Sequence, residues 1–215
     1  DELTQIAAAR MERGEITEWF ITFVNPGKPI PEDVAHLTNI HDEDVADAPL
    51  PEEALASLVE FVGSSKIVAH NVGFDRTFTT RHPSGYPLLE NTWIDSLDLA
   101  RIALPRLKSH RLIDIVKAFD APLSTHRADA DVAATCAAFR ILLAAVEAMP
   151  SELVSNIAGM ATREQWQTRV VFEHFGSRNK EAGDKESEAG ESSSAKERSF
   201  SLRSMRWNRL GAGKE

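Results

Sequence analysis

The chain has 215 residues, 42% hydrophobic and 27% charged, with a net charge of −9, the balance of a globular protein of one or two domains. Its single cysteine, Cys136, excludes an internal disulfide and a zinc site built on clustered cysteines. The longest apolar stretch falls far short of the ~20 residues that span a bilayer, so the expectation is a soluble, cytoplasmic protein with no membrane partner. Charge is unevenly spread, with 15 basic and 26 acidic residues in 1–175 against 9 and 7 in 176–215. An acidic body argues only weakly against a cationic nucleic-acid wrapper, and it does not exclude an enzyme whose carboxylates hold cations on a phosphodiester. The first residue is Asp rather than Met, and the chain is expected to be a fragment of a longer protein.

Leu3–Met11 and Ile16–Val24 are extended runs joined by the polar Glu12-Arg13-Gly14-Glu15, the pattern of a β-hairpin. Asn25-Pro26-Gly27 stops the second run. Pro31–Thr38 and Asp42–Ala46 read as short helical turns. Pro51–Val62 opens on Pro and two acids and repeats apolar residues at helical spacing. Lys66–His70 is a short apolar strand, with Gly73 expected to permit a tight entry into a helix over Gly73–Thr80. Thr92–Asp95 is a brief strand, followed by a helix over Ser96–Ala103. His110–Phe119 is amphipathic, and Ala128–Ala148 is the longest helix, with Val132, Phe139, Leu142, Leu143 and Val146 as its buried stripe. Leu153–Phe175 reads as a helical extension. Residues 176–199 are almost all Gly, Ser, Glu, Lys and Ala, a composition that cannot offset chain entropy and predicts disorder. Phe200–Leu210 mixes large apolar residues with three arginines, as in a docking peptide or the lead-in to a following domain. A hairpin followed by alternating strands and helices predicts an α/β fold with a mixed sheet flanked by helices.

Two stretches carry chemistry. In Ile67–Asp75, IVAHNVGFD, a strand ends at His70-Asn71 and Asp75 falls in the first turn of the next helix, at the mouth of the sheet where ligands of open α/β sheets bind. Taken alone, Asp75 fits better an acid complementing a helix dipole. In Ser124–Asp131, STHRADAD, His126 opens the long helix and Asp131 lies about a turn further in. A spacing of five does not place both on one helical face, but it lets a histidine on the entry segment face a carboxylate on the helix; the bland reading is a capping segment followed by a solvated acid. His36, His41, His82 and His110 read as surface or packed residues, and Cys136 as a small core residue. Leu210–Glu215 departs twice from a phosphate-binding loop, at Asn208 and Glu215.

Together, HN-x-x-FD after a strand and H-x-A-x-A-D opening a long Ala-rich helix resemble the DnaQ-like, DEDDh-class 3′-5′ exonucleases, which include the epsilon proofreading subunit. The N-P-G, I-P and L-T-x-I-x-D-x-x-V-x-x-A-P run of residues 25–49 and the stretch WIDSLDLARIALPRLKSHRL are similar to the same family. The resemblance covers residues 1–148 and implies an RNase H-like fold with the family's first, D-x-E-bearing strand missing from the fragment. It implies hydrolysis of the terminal phosphodiester at a nucleic acid 3′ end, DNA favoured over RNA, by two divalent cations, Mg²⁺ or Mn²⁺. By the same resemblance Asp131 and Asp75 match metal-ligating carboxylates, His126 matches the general base, and Asn71 and Phe74 match residues that shape the substrate site, with core packing the other role for Phe74. Asp129 reads as solvated and Asp95 as structural. Two carboxylates without the D-x-E pair make a poor two-metal site, so the fragment is expected to be nearly inactive. The expected organisation is an exonuclease domain over 1–148, a helical extension over 149–175 and a disordered linker and tail over 176–215. The implied context is replication or repair, beside a polymerase subunit or a DinG-like helicase domain of the same parent. The rival reading is a non-catalytic, exonuclease-like binding module.

Overall fold

The computed structural model describes residues 2–121, 128–160, 162, 164–177 and the backbone strand 202–209. Its first elements are β1 (Leu3–Glu12) and β2 (Glu15–Phe23), an antiparallel hairpin pairing Gln5 with Phe23 through Glu12 with Glu15. Arg13 and Gly14 at the tip both have positive φ, 53° and 85°, the twist that a two-residue hairpin turn requires. A register shift between Arg10 and Met11 marks a bulge, beside an Arg10–Glu18 ion pair at 3.0 Å.

Two short helices follow, α1 (Glu32–Thr38) and α2 (Asp42–Val45), which build a small separate cluster from Ile30, Val34, Ala35, Ile40 and Val45. Helix α3 (Pro51–Val62) has Pro in its first turn and ends at Gly63, whose φ is +52°. Strand β3 (Lys66–Ala69) leads into α4 (Val72–Thr79). The residue that makes this tight entry is Asn71, at φ 73°; Gly73 has no positive φ and no neighbour that a side chain would strike. A 3-10 helix over Pro83–Glu90 was not expected from the sequence. There Gly85 passes so close to Thr79 that a Cβ would collide with its carbonyl oxygen. Strand β4 (Trp93–Asp95) and α5 (Ser96–Ala103) follow, then α6 (Leu112–Ala118) and the 20-residue α7 (Ala128–Glu147).

The sheet order is β2-β1-β5-β3-β4, where β5 is Leu202–Arg209. This strand, from the Phe200–Leu210 stretch expected to be a docking peptide or the lead-in to a following domain, lies at the centre of the sheet, antiparallel to β1 and parallel to β3. Its place has a physical reason: no other described segment joins the facing edges of β1 and β3, and Leu202–Arg209 supplies the backbone donors and acceptors they need. The rest of the expected linker, 178–201 and 210–215, lies outside the described residues.

Helices cover both faces. On one, Ile6 and Ala8 of β1 pack with Leu55, Leu58 and Val62 of α3 and with Val72 and Phe78 of α4. On the other, Ala7 and Ala9 pack with Leu99, Ile115, Val132, Phe139 and Leu142 of α5, α6 and α7. The expected extension is two helices rather than one, α8 (Ser151–Gly159) and α9, described over 169–177, and its Val154, Ile157, Val171 and Phe172 join the same core as α7. The turn between them covers the outer edge of β4. The Trp93 amide donates to Gln167 Oε1 at 2.7 Å and the Asp95 amide to Thr168 Oγ1 at 2.8 Å, satisfying edge groups that would otherwise invite another strand. Among the described residues no single helix is long and apolar enough to cross a membrane.

Candidate active site

Asp75 sits in the first turn of α4 and only 2% of its surface is exposed. The helix start that carries it is held by a carboxylate on the neighbouring strand. Asp95 Oδ1 accepts from the Asn71 amide at 3.0 Å, and Oδ2 accepts from the Val72 amide at 3.0 Å. Asp95 also caps its own helix, accepting from the Leu97 amide at 2.9 Å. One side chain thus satisfies donors at two helix N-termini, which β3 and β4 bring together by running parallel from Ile67–Trp93 to Ala69–Asp95. The cluster of positive dipole ends favours a carboxylate at this spot. A nearby acid feels the reverse: burial and the Asp95 charge hold the Asp98 carboxyl above the usual carboxylate range.

His70 lies one residue past β3. Its Nε2–H donates to the His110 carbonyl at 2.9 Å, and its Nδ1 stands 3.0 Å from Ser96 Oγ. The ring therefore pins the segment before α6 to the start of α5. His110 in turn contacts the Leu104 carbonyl through Nε2 at 3.0 Å, a packed histidine as expected. Asn71 is exposed and contributes its backbone conformation and amide to this corner. Phe74 is half-buried against the α3 face, its ring 4.8 Å from that of Phe78.

Asp131 sits in the first turn of α7 with 3% of its surface exposed. The start of that helix is tied to the sheet by Gln5, whose Oε1 accepts from the Ala128 amide at 3.3 Å. Thr135 Oγ1 donates to the Asp131 carbonyl at 2.8 Å, one turn on. Asp129, expected to be solvated, is half-buried, because the first turn of α7 lies against the protein on more than its Asp131 side. His126 lies outside the described residues.

The two buried acids approach the same end of the sheet from opposite faces. Helix α4 leaves the C-terminal end of β3, and α7 begins beside Gln5, near the N-terminal end of the antiparallel β1. Those two ends are level, because β5 pairs Ser204 with Val68 and Trp207 with Ile6. Both helices contact β5.

The sequence model of the exonuclease family, RNase_T, matches residues 1–139. The chain belongs to this exonuclease family. It is 36% identical over 159 residues to the PolC-type DNA polymerase III of Caldanaerobacter subterraneus subsp. tengcongensis, a match covering 73% of this chain and 11% of that protein. It is 36% identical over 141 residues to the PolC-type enzyme of Bacillus subtilis strain 168, covering 63% and 10%. The chain thus spans about a tenth of the length of these curated relatives. Among solved structures, exonuclease X in complex with 5′-overhanging duplex DNA superimposes with a TM-score of 0.55 and 23% identity, covering 79% of this chain and 90% of that one. The fold of this DnaQ-like exonuclease domain is RNase H-like, a mixed sheet with helices on both faces.

The motif acids were legible because each follows a strand or opens a helix in a recognisable string. The clamp on Asn71 and Val72 was not. Asp95-Ser96 before an apolar run signals a helix cap, but its reach to the neighbouring helix depends on β3 and β4 pairing. Gln5 carries no local signal for its bond to Ala128, 123 residues away.

Proposed function

We propose that this domain removes nucleotides from a DNA 3′ end, with Asp75 and Asp131 as cation-holding carboxylates and His126 as the base that takes a proton from the attacking water. The observation that carries the reading is that both motif acids are almost fully buried in the first turns of helices starting at one end of the sheet. Two carboxylates brought to one sheet end suit a site that holds cations. Membership of the exonuclease family and the PolC-type relatives support the same assignment.

The donor set is nevertheless short. Among the described residues no group of three or more His, Cys, Asp or Glu gathers around a point that could hold a metal ion. Mg²⁺ takes about six oxygens, and two carboxylates do not fit a pair of such ions. The protein's own part is to hold the two acids, with Asp95 fixing α4 and Gln5 fixing α7, and to position His126, whose ordinary pKa near 6.5 suits a base at neutral pH.

The test extends the chain ahead of Asp1 with a strand carrying D-x-E. With Mn²⁺ or Mg²⁺, a 5′-labelled oligonucleotide should shorten stepwise from its 3′ end. His126→Ala should lower turnover by about 10²–10⁴ with the melting temperature unchanged, and Asp131→Ala should abolish it. Release from the 5′ end, internal cleavage, or full turnover in either variant sinks the reading.

A further inference from the structure

The body of this domain is acidic, but one stretch of it is not. Residues 101–119 carry Arg101, Arg106, Lys108, Arg111 and Lys117 against the single acid Asp114, while the rest of 1–175 holds 10 basic and 25 acidic residues. Part of that positive charge is already used. Arg101 pairs with Asp98 at 3.3 Å and Arg111 with Asp114 at 2.7 Å, and Arg101 and Lys117 stand in the last turns of α5 and α6, where a cation complements the helix dipole. Arg106 and Lys108 have neither role. They lie in the connection between the two helices, both exposed and neither in an ion pair with a described residue. The same connection helps to wall an apolar pocket of about 420 Å³, lined by Ala103, Leu104, Pro105, Arg106, Leu107 and Phe119. Leu104 and Leu107 pack on the larger core. The turn that presents them is fixed by the Leu107 amide, which donates to the Leu104 carbonyl at 3.0 Å, and by His110 Nε2 at 3.0 Å from the same oxygen. Phe119, at the end of α6, leaves 47% of its surface exposed.

We propose that this pocket docks a short acidic segment of a partner protein, which seats one large apolar side chain, a Leu or Phe, against Leu104, Leu107 and Phe119 while flanking Asp or Glu residues meet Arg106 and Lys108. Charge complementarity selects the occupant. Two exposed cations beside an apolar pocket, on a body that is otherwise acidic, match a segment that is both acidic and apolar. The pocket supplies the anchor, and the rim charges choose the partner and speed its encounter. A nucleic acid strand fits less well. A base is held by stacking and by hydrogen bonds to its edge, and here it meets one ring and four aliphatic side chains, with Arg106 as the only polar group in the wall. The surface also stands apart from the motif acids. Helix α5 starts at the Asp95 corner and runs eight residues, about 12 Å, before the pocket begins, so docking there does not depend on the exonuclease chemistry.

The test is fluorescence anisotropy with the full chain and a fluorescein-labelled peptide, Glu-Asp-Asp-Leu-Phe-Glu-Asp-Asp. Saturable binding is expected with a Kd of the order of 10⁻⁵–10⁻⁴ M, as suits a small, transient contact. Phe119→Ser should weaken it by about tenfold or more. The double reversal Arg106→Glu/Lys108→Glu should weaken it by about tenfold and remove most of its salt dependence. These side chains are exposed, so both variants should keep the parent's melting temperature. A peptide with Ser-Ser in place of Leu-Phe should not bind. No saturation by about 1 mM peptide, or equal binding by the parent and both variants, overturns the proposal. Displacement of the peptide by a short oligothymidylate in EDTA assigns the surface to nucleic acid and overturns it as well. So does a dimer of the chain alone, seen in sedimentation and dissociated by the charge reversal, which assigns the pocket to a second copy.

Discussion

The two helices that carry the motif acids are fixed in different ways. Helix α4 is held by a polar corner: Asp95 bonds three backbone amides, and His70 bridges Ser96 and the His110 carbonyl. Helix α7 is held mainly by packing, with Val132, Phe139, Leu142 and Val146 buried in the larger core, and by polar ties that include Gln5 to the Ala128 amide and the Arg140–Glu15 ion pair at 3.7 Å. The first arrangement fixes a helix start through a few directional bonds. The second spreads the work over a whole face and fixes an axis better than an end. A site that needs both acids at one sheet end combines a rigid side with a side whose position follows the global core.

The strongest way to break this contrast is Leu142→Ala. Leu142 is fully buried beneath α7, and its loss should cost about 2–5 kcal/mol. Denaturant unfolding should show the loss as a lower midpoint for the whole domain, with amide exchange rising throughout the core. Asp95→Ala removes the acceptor for three amides and should cost about 1–3 kcal/mol. Its signature is local, with faster amide exchange at Asn71, Val72 and Leu97 and little change in α7. Equal exchange increases in α4 and α7 would show that the corner is not an independent clamp. Gln5→Ala removes the tie to α7 and should cost about 0.5–1.5 kcal/mol, with faster exchange confined to the Ala128 amide and its neighbours. A domain-wide effect would mean that Gln5 supports β1 itself.

The smallest effect is a gain. Asp98 sits beside Asp95, and burial together with that charge raises its carboxyl pKa, only partly offset by Arg101 at 3.3 Å. The folded state therefore binds the Asp98 proton more tightly than the unfolded state does, so ionisation costs stability as the pH rises through the carboxylate range. Asp98→Asn should stabilise the fold at neutral pH by less than about 0.5 kcal/mol after solvent screening, read as a small rise in melting temperature. The gain should disappear in acid, where the native side chain is already protonated. A gain that persists below the carboxylate range would assign the effect to packing rather than charge.

By itself the sequence determined the family, the alternation of strands and helices, and the two acids. These features are local: a strand ending in His70-Asn71 with Asp75 in the next turn, a long Ala-rich helix opening on Asp131, and helical or two-residue periodicity that a short window contains. It also marked Asp95 as structural from its place at a strand end. What the tertiary structure decided are the relations between segments distant in the chain. Asp95 reaches Asn71 and Val72 only because β3 and β4 pair, Gln5 reaches Ala128 across the sheet, Gln167 and Thr168 cap the free edge of β4, and a polar tail strand lies between β1 and β3. Composition gave that strand no place in the sheet, because burial and charge patterns report what a segment favours in isolation. Strand pairing depends instead on which edges elsewhere lack partners, and backbone hydrogen bonds are made with almost any side chain.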